Sequence, residues 1–105
     1  MYRFMRVIVF FDLPVETTLQ RRNYMRFRKY LIRSGFVMMQ ESVYTKLAPN
    51  ASVAGAIERN VRSNRPLEGV VQMLVITEKQ FQKMELVTGQ RQTEVLEDDR
   101  RLVIL

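Results

Sequence analysis

The chain of 105 residues is the size of one compact domain, and its 47% hydrophobic content can fill a core without disulfides. Lysine and arginine number 17 against 11 aspartates and glutamates, giving a formal charge of +6 and a pI near 10.2, a balance that favours nucleic acid or another anionic partner. Cysteine and histidine are both absent, which excludes disulfides, thiolate nucleophiles, cysteine-based zinc sites and the usual imidazole base, and leaves hard, oxygen-ligated ions such as Mg2+ or Mn2+ as the candidate metals.

The start, MYRFMRVIVFFDLP, joins a charge to a short apolar run but ends it on an acid and a proline, where a signal peptide needs small residues. No segment reaches the roughly 18 apolar residues of a membrane span, so a cytoplasmic protein without a membrane partner is expected. From Met5 to Leu13 the alternation predicts a strand. Met5, Val7, Val9, Phe11 and Leu13 share one face, and Phe4, Arg6, Ile8, Phe10 and Asp12 the other. Both faces are largely apolar, so one meets helices and the other needs separate cover, such as another subunit.

A helix follows from Thr17 or Thr18, either of which can cap it, to Ser34, with Gly35 closing it. Tyr24, Phe27 and Leu31 fall on one side with Tyr30 on the flank, while Arg22, Arg26, Lys29 and Arg33 form a narrow stripe opposite, beside Arg21. "FVMMQESVYTKLA" reads as two short strands, Phe36 to Gln40 and Val43 to Leu47, turned at Glu41 and Ser42. Asn50 or Ser52 caps a second helix along Val53, Ile57 and Val61, ended by Pro66, with Arg59, Arg62 and Arg65 off that row. "GVVQMLVIT" reads as a buried central strand. "TEKQF" then forms a capping box, Thr77 with Gln80, opening a short helix through about Leu86.

The polar stretch that follows predicts a loop, and "LVIL" at the end can add an edge strand, so residues 88–105 are read as a C-terminal loop and strand used for assembly. The order strand, helix, strand, strand, helix, strand is the α+β, ferredoxin-like βαββαβ arrangement: one domain over 1–105, an antiparallel sheet, a short extra helix and a C-terminal edge strand.

Asp12 is the first candidate for chemistry. It reads either as a metal ligand at a strand's carboxyl end or as a turn carboxylate before Leu13 and Pro14. Mg2+ commonly uses one or two carboxylates with waters and phosphate oxygens, so one Asp per chain suffices if a two-fold dimer brings a second. Phosphodiester hydrolysis without histidine then rests on metal-activated water and electrostatic stabilisation. The stripe Arg22, Arg26, Lys29 and Arg33, with no acid between Thr17 and Ser34, suits phosphate binding without base readout, and Arg62 and Arg65 can extend it. A single-stranded RNA reader of this fold is rejected because "ESVYTKLA" offers only Tyr44 for base stacking. A small-molecule regulatory domain lacks a glycine-rich ligand loop.

"MRVIVFFDLP", "RKYLIRSGF", "QESVYTKL" and "VITEKQFQKM", in this order and spacing, resemble the small CRISPR-associated protein of the spacer-acquisition pair, in the form found beside single-protein effector (type II) systems. The resemblance implies a prokaryotic homodimer lying between two integrase dimers, acting as a platform for duplex protospacer DNA in antiviral spacer acquisition. It implies that Asp12 lies near the dimer dyad and binds Mg2+ in those members that act as endonucleases, and it assigns Leu102, Val103, Ile104 and Leu105 to partner assembly. The leading expectation is a non-catalytic scaffold in which Arg21, Arg22, Arg26, Lys29 and Arg33 contact phosphates. The alternative is a metal-dependent endonuclease using Asp12 on RNA or DNA, and a third reading is a toxin-like ribonuclease acting without an integrase. The acidic group Glu94, Glu97, Asp98 and Asp99 either repels DNA or meets a basic partner.

Overall fold

The computed structural model describes residues 3–89. The elements in order are β1 (Met5–Asp12), α1 (Thr18–Arg33), β2 (Val37–Gln40), β3 (Val43–Ala48), α2 (Ala51–Ser63), β4 (Val70–Thr77) and α3 (Glu78–Phe81). The expected strand at Leu102–Leu105 and the acidic group at Glu94, Glu97, Asp98 and Asp99 lie outside the described residues.

The four strands form one antiparallel sheet in the order β2-β3-β1-β4, the ferredoxin-like pattern. β4 is therefore an edge strand rather than the central one its sequence predicts. Its unbroken apolar run reflects two faces that both need cover: Val71, Met73 and Val75 pack toward the core, while Val70 and Leu74 remain exposed on the other side.

The core lies between the sheet and the two long helices. Val7, Val9, Phe11 and Leu13 meet Phe27 and Leu31 of α1, with Tyr44 and Ala48 of β3 and Ala54 and Val61 of α2. Phe11 is at its centre, edge-on to Phe27 at 5.4 Å and to Tyr24 at 6.0 Å, and stacked with Tyr44 at 5.7 Å. In α2 the inward row is Ala54, Ile57 and Val61, not Val53, which is exposed. A helix turns far enough over four residues that the small Ala54, which permits close approach to the sheet, displaces Val53 to the rim.

Local chemistry sets the boundaries. Thr17 is the cap of α1: its side chain accepts from the Gln20 backbone N–H, and Gln20 Oε1 accepts in return from the Thr17 backbone at 3.0 Å. Asn50 caps α2, accepting from Val53 N–H at 2.9 Å. Gly35, with φ +93, reverses the chain after α1. In the β2–β3 turn Ser42 takes the left-handed conformation at φ 66, and a register shift between Met38 and Gln40 absorbs the extra residue, which is how a hairpin forms here without glycine.

α3 has the expected Thr77–Gln80 capping box but stops at Phe81 instead of reaching Leu86. Beyond it the chain closes in tighter turns, Lys83 N–H to Gln80 O and Met84 N–H to Phe81 O, and Leu86 and Val87 stay exposed. With no apolar face to bury, nothing holds further turns.

Candidate nucleic-acid interface

α1 packs on the sheet through Phe27 and Leu31, which obliges the residues on the opposite side to face water. Arg22, Arg26, Lys29 and Arg33 are all exposed there. At a rise of about 1.5 Å per residue, the row extends roughly 16 Å along the helix. With Met25, Tyr30 and Asn64 it lines a groove of about 460 Å3 beside the C-terminal end of α2. The Tyr30 hydroxyl donates to Asn60 Oδ1, tying the groove's floor to α2.

Among the described residues the row has no counter-charge paired with it. Among the described residues the one ion pair is Arg6 with Glu78, on the far side of the sheet. A row of cations left without carboxylates keeps its full attraction for an external polyanion.

The other predicted cations are placed differently. Arg21 does not join the row: its guanidinium donates to Val15 O at 3.1 Å, to Glu16 O at 3.0 Å and to Thr18 Oγ1, fastening the β1–α1 loop. Arg62 and Arg65 are exposed at the end of α2 on either side of Asn64, and Arg65 Nη1 donates to Arg62 O at 2.8 Å. Reading the sequence for charge overlooked Met25, Tyr30 and Asn64 as groove-lining residues. Met25 was legible in principle, being three residues from Arg22 and four from Lys29 on the helix surface.

Asp12 is the last residue of β1, exposed, opposite Val70 in register. The backbone beneath it is tightly set: Gly69 has φ +96, and a Cβ there would lie 2.9 Å from Asp12 O and 2.6 Å from Leu13 Cδ2. The Asp12 side chain makes no hydrogen bond or ion pair with another described residue, so its oxygens are free for a hard cation. No group of three or more acidic, histidine or cysteine side chains gathers around it among the described residues. Among the described residues Asp12 is thus a lone carboxylate, which suits a divalent ion only with further ligands.

Asp12 also lies on the face of the sheet away from α1 and α2, with Arg6, Ile8 and Phe10. α3 covers the opposite end of that face. Arg6 forms a bidentate pair with Glu78 at 2.7 and 2.6 Å and lies 4.4 Å from the centroid of the Phe81 ring. These hydrogen bonds from Arg6, with a further one from Gln82, hold the Glu78 carboxyl below its ordinary range despite partial burial. Val37, Leu47, Val70 and Leu74 remain as exposed apolar side chains on this face. No helix among the described residues is long and apolar enough to cross a membrane.

The class these features define is a small ferredoxin-like α+β protein with an unmatched cationic helix on its outer side. The family model for the CRISPR associated protein Cas2 matches residues 5–84. A CRISPR-associated endoribonuclease Cas2 of Treponema denticola is 54% identical over 101 residues, covering 96% of this chain and 100% of the relative. Another protein of that name, from Streptococcus mutans serotype c strain UA159, is 43% identical over 96% of this chain and 93% of its own length. A crystal structure of cas2 superposes with a TM-score of 0.57 at 18% identity, over 90% of this chain and 97% of that one, a likeness that carries the fold. The chain belongs to the Cas2 family.

Proposed function

We propose that this protein works in CRISPR spacer acquisition as a homodimeric scaffold, holding duplex protospacer DNA by its phosphates and bridging integrase dimers on its two sides. The observation that carries this reading is the row Arg22, Arg26, Lys29 and Arg33, exposed along one helix and without carboxylate partners among the described residues. Such a row contacts backbone and not base edges, which suits the capture of foreign DNA of any sequence. Two copies related by a two-fold axis give two such rows. The exposed Leu74, Val70 and Leu47 support the second copy as the cover of the remaining sheet face. Leu102 to Leu105 are assigned to the integrase contact, and the assembly to the prokaryotic cytoplasm.

The test compares spacer acquisition in cells carrying the complete system with either Asp12→Ala or a glutamine variant of the four-residue row, each first shown to fold and dimerise. Loss with the row variant alone is expected. Loss with Asp12→Ala alone overturns the scaffold reading.

A second reading is favoured by the names of the relatives, which are endoribonucleases, and by the free carboxylate of Asp12 at the strand end. In it, Asp12 and its counterpart in a second copy hold Mg2+ or Mn2+, which supplies an activated water for phosphodiester cleavage. The chain's own part is to present that carboxylate, exposed, at the end of β1. This activity requires a divalent cation and disappears in Asp12→Ala while the dimer persists.

A further inference from the structure

A second concavity, on the other flank of α1, has no part in the function proposed above. Tyr24 and Arg28 of α1, Met38 and Gln40 of the edge strand, Glu41 of the turn and Met84 beyond α3 border a cavity of about 640 Å3. This volume falls within the roughly 300–1,000 Å3 of sites that enclose small organic ligands. It is separate from the cationic groove, because Arg28 follows Arg26 by two residues and so points about 160° away around the helix.

The lining combines two kinds of surface. The thioethers of Met38 and Met84 and the Tyr24 ring supply a polarizable apolar floor suited to a flat heterocycle. The side chains of Arg28, Gln40 and Glu41 make no hydrogen bond or ion pair with other described residues, leaving a cation, an amide and a carboxylate free at the rim. Inorganic phosphate leaves the floor uncovered and is repelled by Glu41. A saturated lipid chain fills the floor but leaves Gln40 and Glu41 unpaired, and a duplex is too wide to enter. A nucleotide meets all three needs: a flat base, ring and amino donors along its edge, and a phosphate.

We propose that this cavity binds one unstacked nucleotide, with its base on Met38, Met84 and Tyr24, its base edge at Gln40 and Glu41 and its phosphate at Arg28. A free nucleotide and the unpaired end of a strand present the same chemistry. The site is independent of whether α1 holds a duplex.

The methionines make the test direct, since Met38 and Met84 line this cavity while Met25 lines the cationic groove. The full-length protein, labelled with 13C at its methionine methyls, is titrated separately with GMP, guanosine, inorganic phosphate and a short single-stranded oligonucleotide. GMP and guanosine are expected to shift the Met38 and Met84 methyls saturably, and inorganic phosphate to leave those two unmoved. Arg28→Gln, an exchange at a side chain with no partner among the described residues, is expected to weaken GMP about three- to tenfold while leaving guanosine unchanged. Tighter binding of the oligonucleotide at the same methyls identifies a strand end as the source, and tighter binding of GMP identifies a free nucleotide. Absence of a saturable shift at Met38 and Met84 up to roughly 10 mM GMP, a regime weaker than millimolar Kd, overturns the proposal. So does an equal shift with inorganic phosphate.

Discussion

Replacing Arg22, Arg26, Lys29 and Arg33 together by glutamine separates phosphate binding from a structural role, because the two predict opposite signs. The row contains the like-charge neighbours Arg22/Arg26, Arg26/Lys29 and Lys29/Arg33 at spacings of three or four, and no compensating ion pair with another described residue. Each such pair costs about 0.2–0.5 kcal/mol, so the variant should gain roughly 1 kcal/mol in the absence of DNA. In a domain of this size that raises Tm by about 4–8 °C. Binding should move the other way. If each cation neutralises one phosphate, a duplex on one row gives a salt slope of about −3.6 in log Kobs against log salt. Between about 50 and 200 mM salt the affinity then falls by roughly two orders of magnitude, whereas the glutamine variant has a much shallower slope. Fluorescence anisotropy with a labelled duplex at several salt concentrations, paired with thermal unfolding, reads both quantities. A variant that keeps the wild-type slope, or that melts below wild type, refutes the assignment.

Asp12→Asn should leave unfolding within about 0.5 kcal/mol of wild type, because the side chain is exposed and has no partner among the described residues, while any Mg2+-dependent cleavage is lost; equal cleavage by the variant places the activity elsewhere. Gly69→Ala should destabilise by about 1–3 kcal/mol in denaturant unfolding, since φ is +96 and the new Cβ meets Leu13 Cδ2 at 2.6 Å and Asp12 O at 2.9 Å. Glu78 has a folded pKa below its ordinary value of 4.5, so its stabilising effect is complete above the unfolded value and is lost as pH falls through the folded one. Glu78→Gln should therefore be less stable at neutral pH, with the difference from wild type shrinking on acidification in this window; a constant difference across pH 3–6, an interval of about this width, refutes the Arg6 contribution. Leu74→Glu, on the sheet face away from the long helices, should shift the protein toward monomer in analytical ultracentrifugation, and an unchanged mass removes that face as the subunit contact.

The parts of the fold that were legible in the sequence are those fixed by local chemistry. The Thr77–Gln80 box, a threonine cap at Thr17 or Thr18, the Gly35 stop and the period-two alternation of β1 each need only neighbours along the chain. The errors came where a distant contact decides. Nothing near Val53 says that Ala54 is the residue pressed on the sheet, and nothing within β4 says that it lies at an edge. The length of α3 depended on what lay beneath Leu86 and Val87, and the helix stops where that support is missing. Within the candidate site, the row on α1 follows from the helical period alone. Arg21 adds what the period cannot see: its exposed guanidinium also donates to carbonyls of the β1–α1 loop.

The far face of the sheet bears on why one chain carries a solitary carboxylate. β1 runs from Met5, at the end where α3 is fastened by Arg6, Glu78 and Phe81, to Asp12 at the opposite end. Ile8 and Thr45, midway, are already buried at 3% and 4% exposure, whereas Val70 beside Asp12 is 55% exposed. Exposed apolar side chains on that face run from Leu47 opposite Arg6, through Leu74 opposite Ile8, to Val70 opposite Asp12, and a copy whose two-fold axis passes near the Asp12 end brings its own Asp12 toward the same region. Two carboxylates brought together repel unless a cation or a proton lies between them. On the proposed dimer, the contact that hides the apolar surface is therefore the one that creates a place for a divalent ion, and subunit association and metal affinity should rise and fall together.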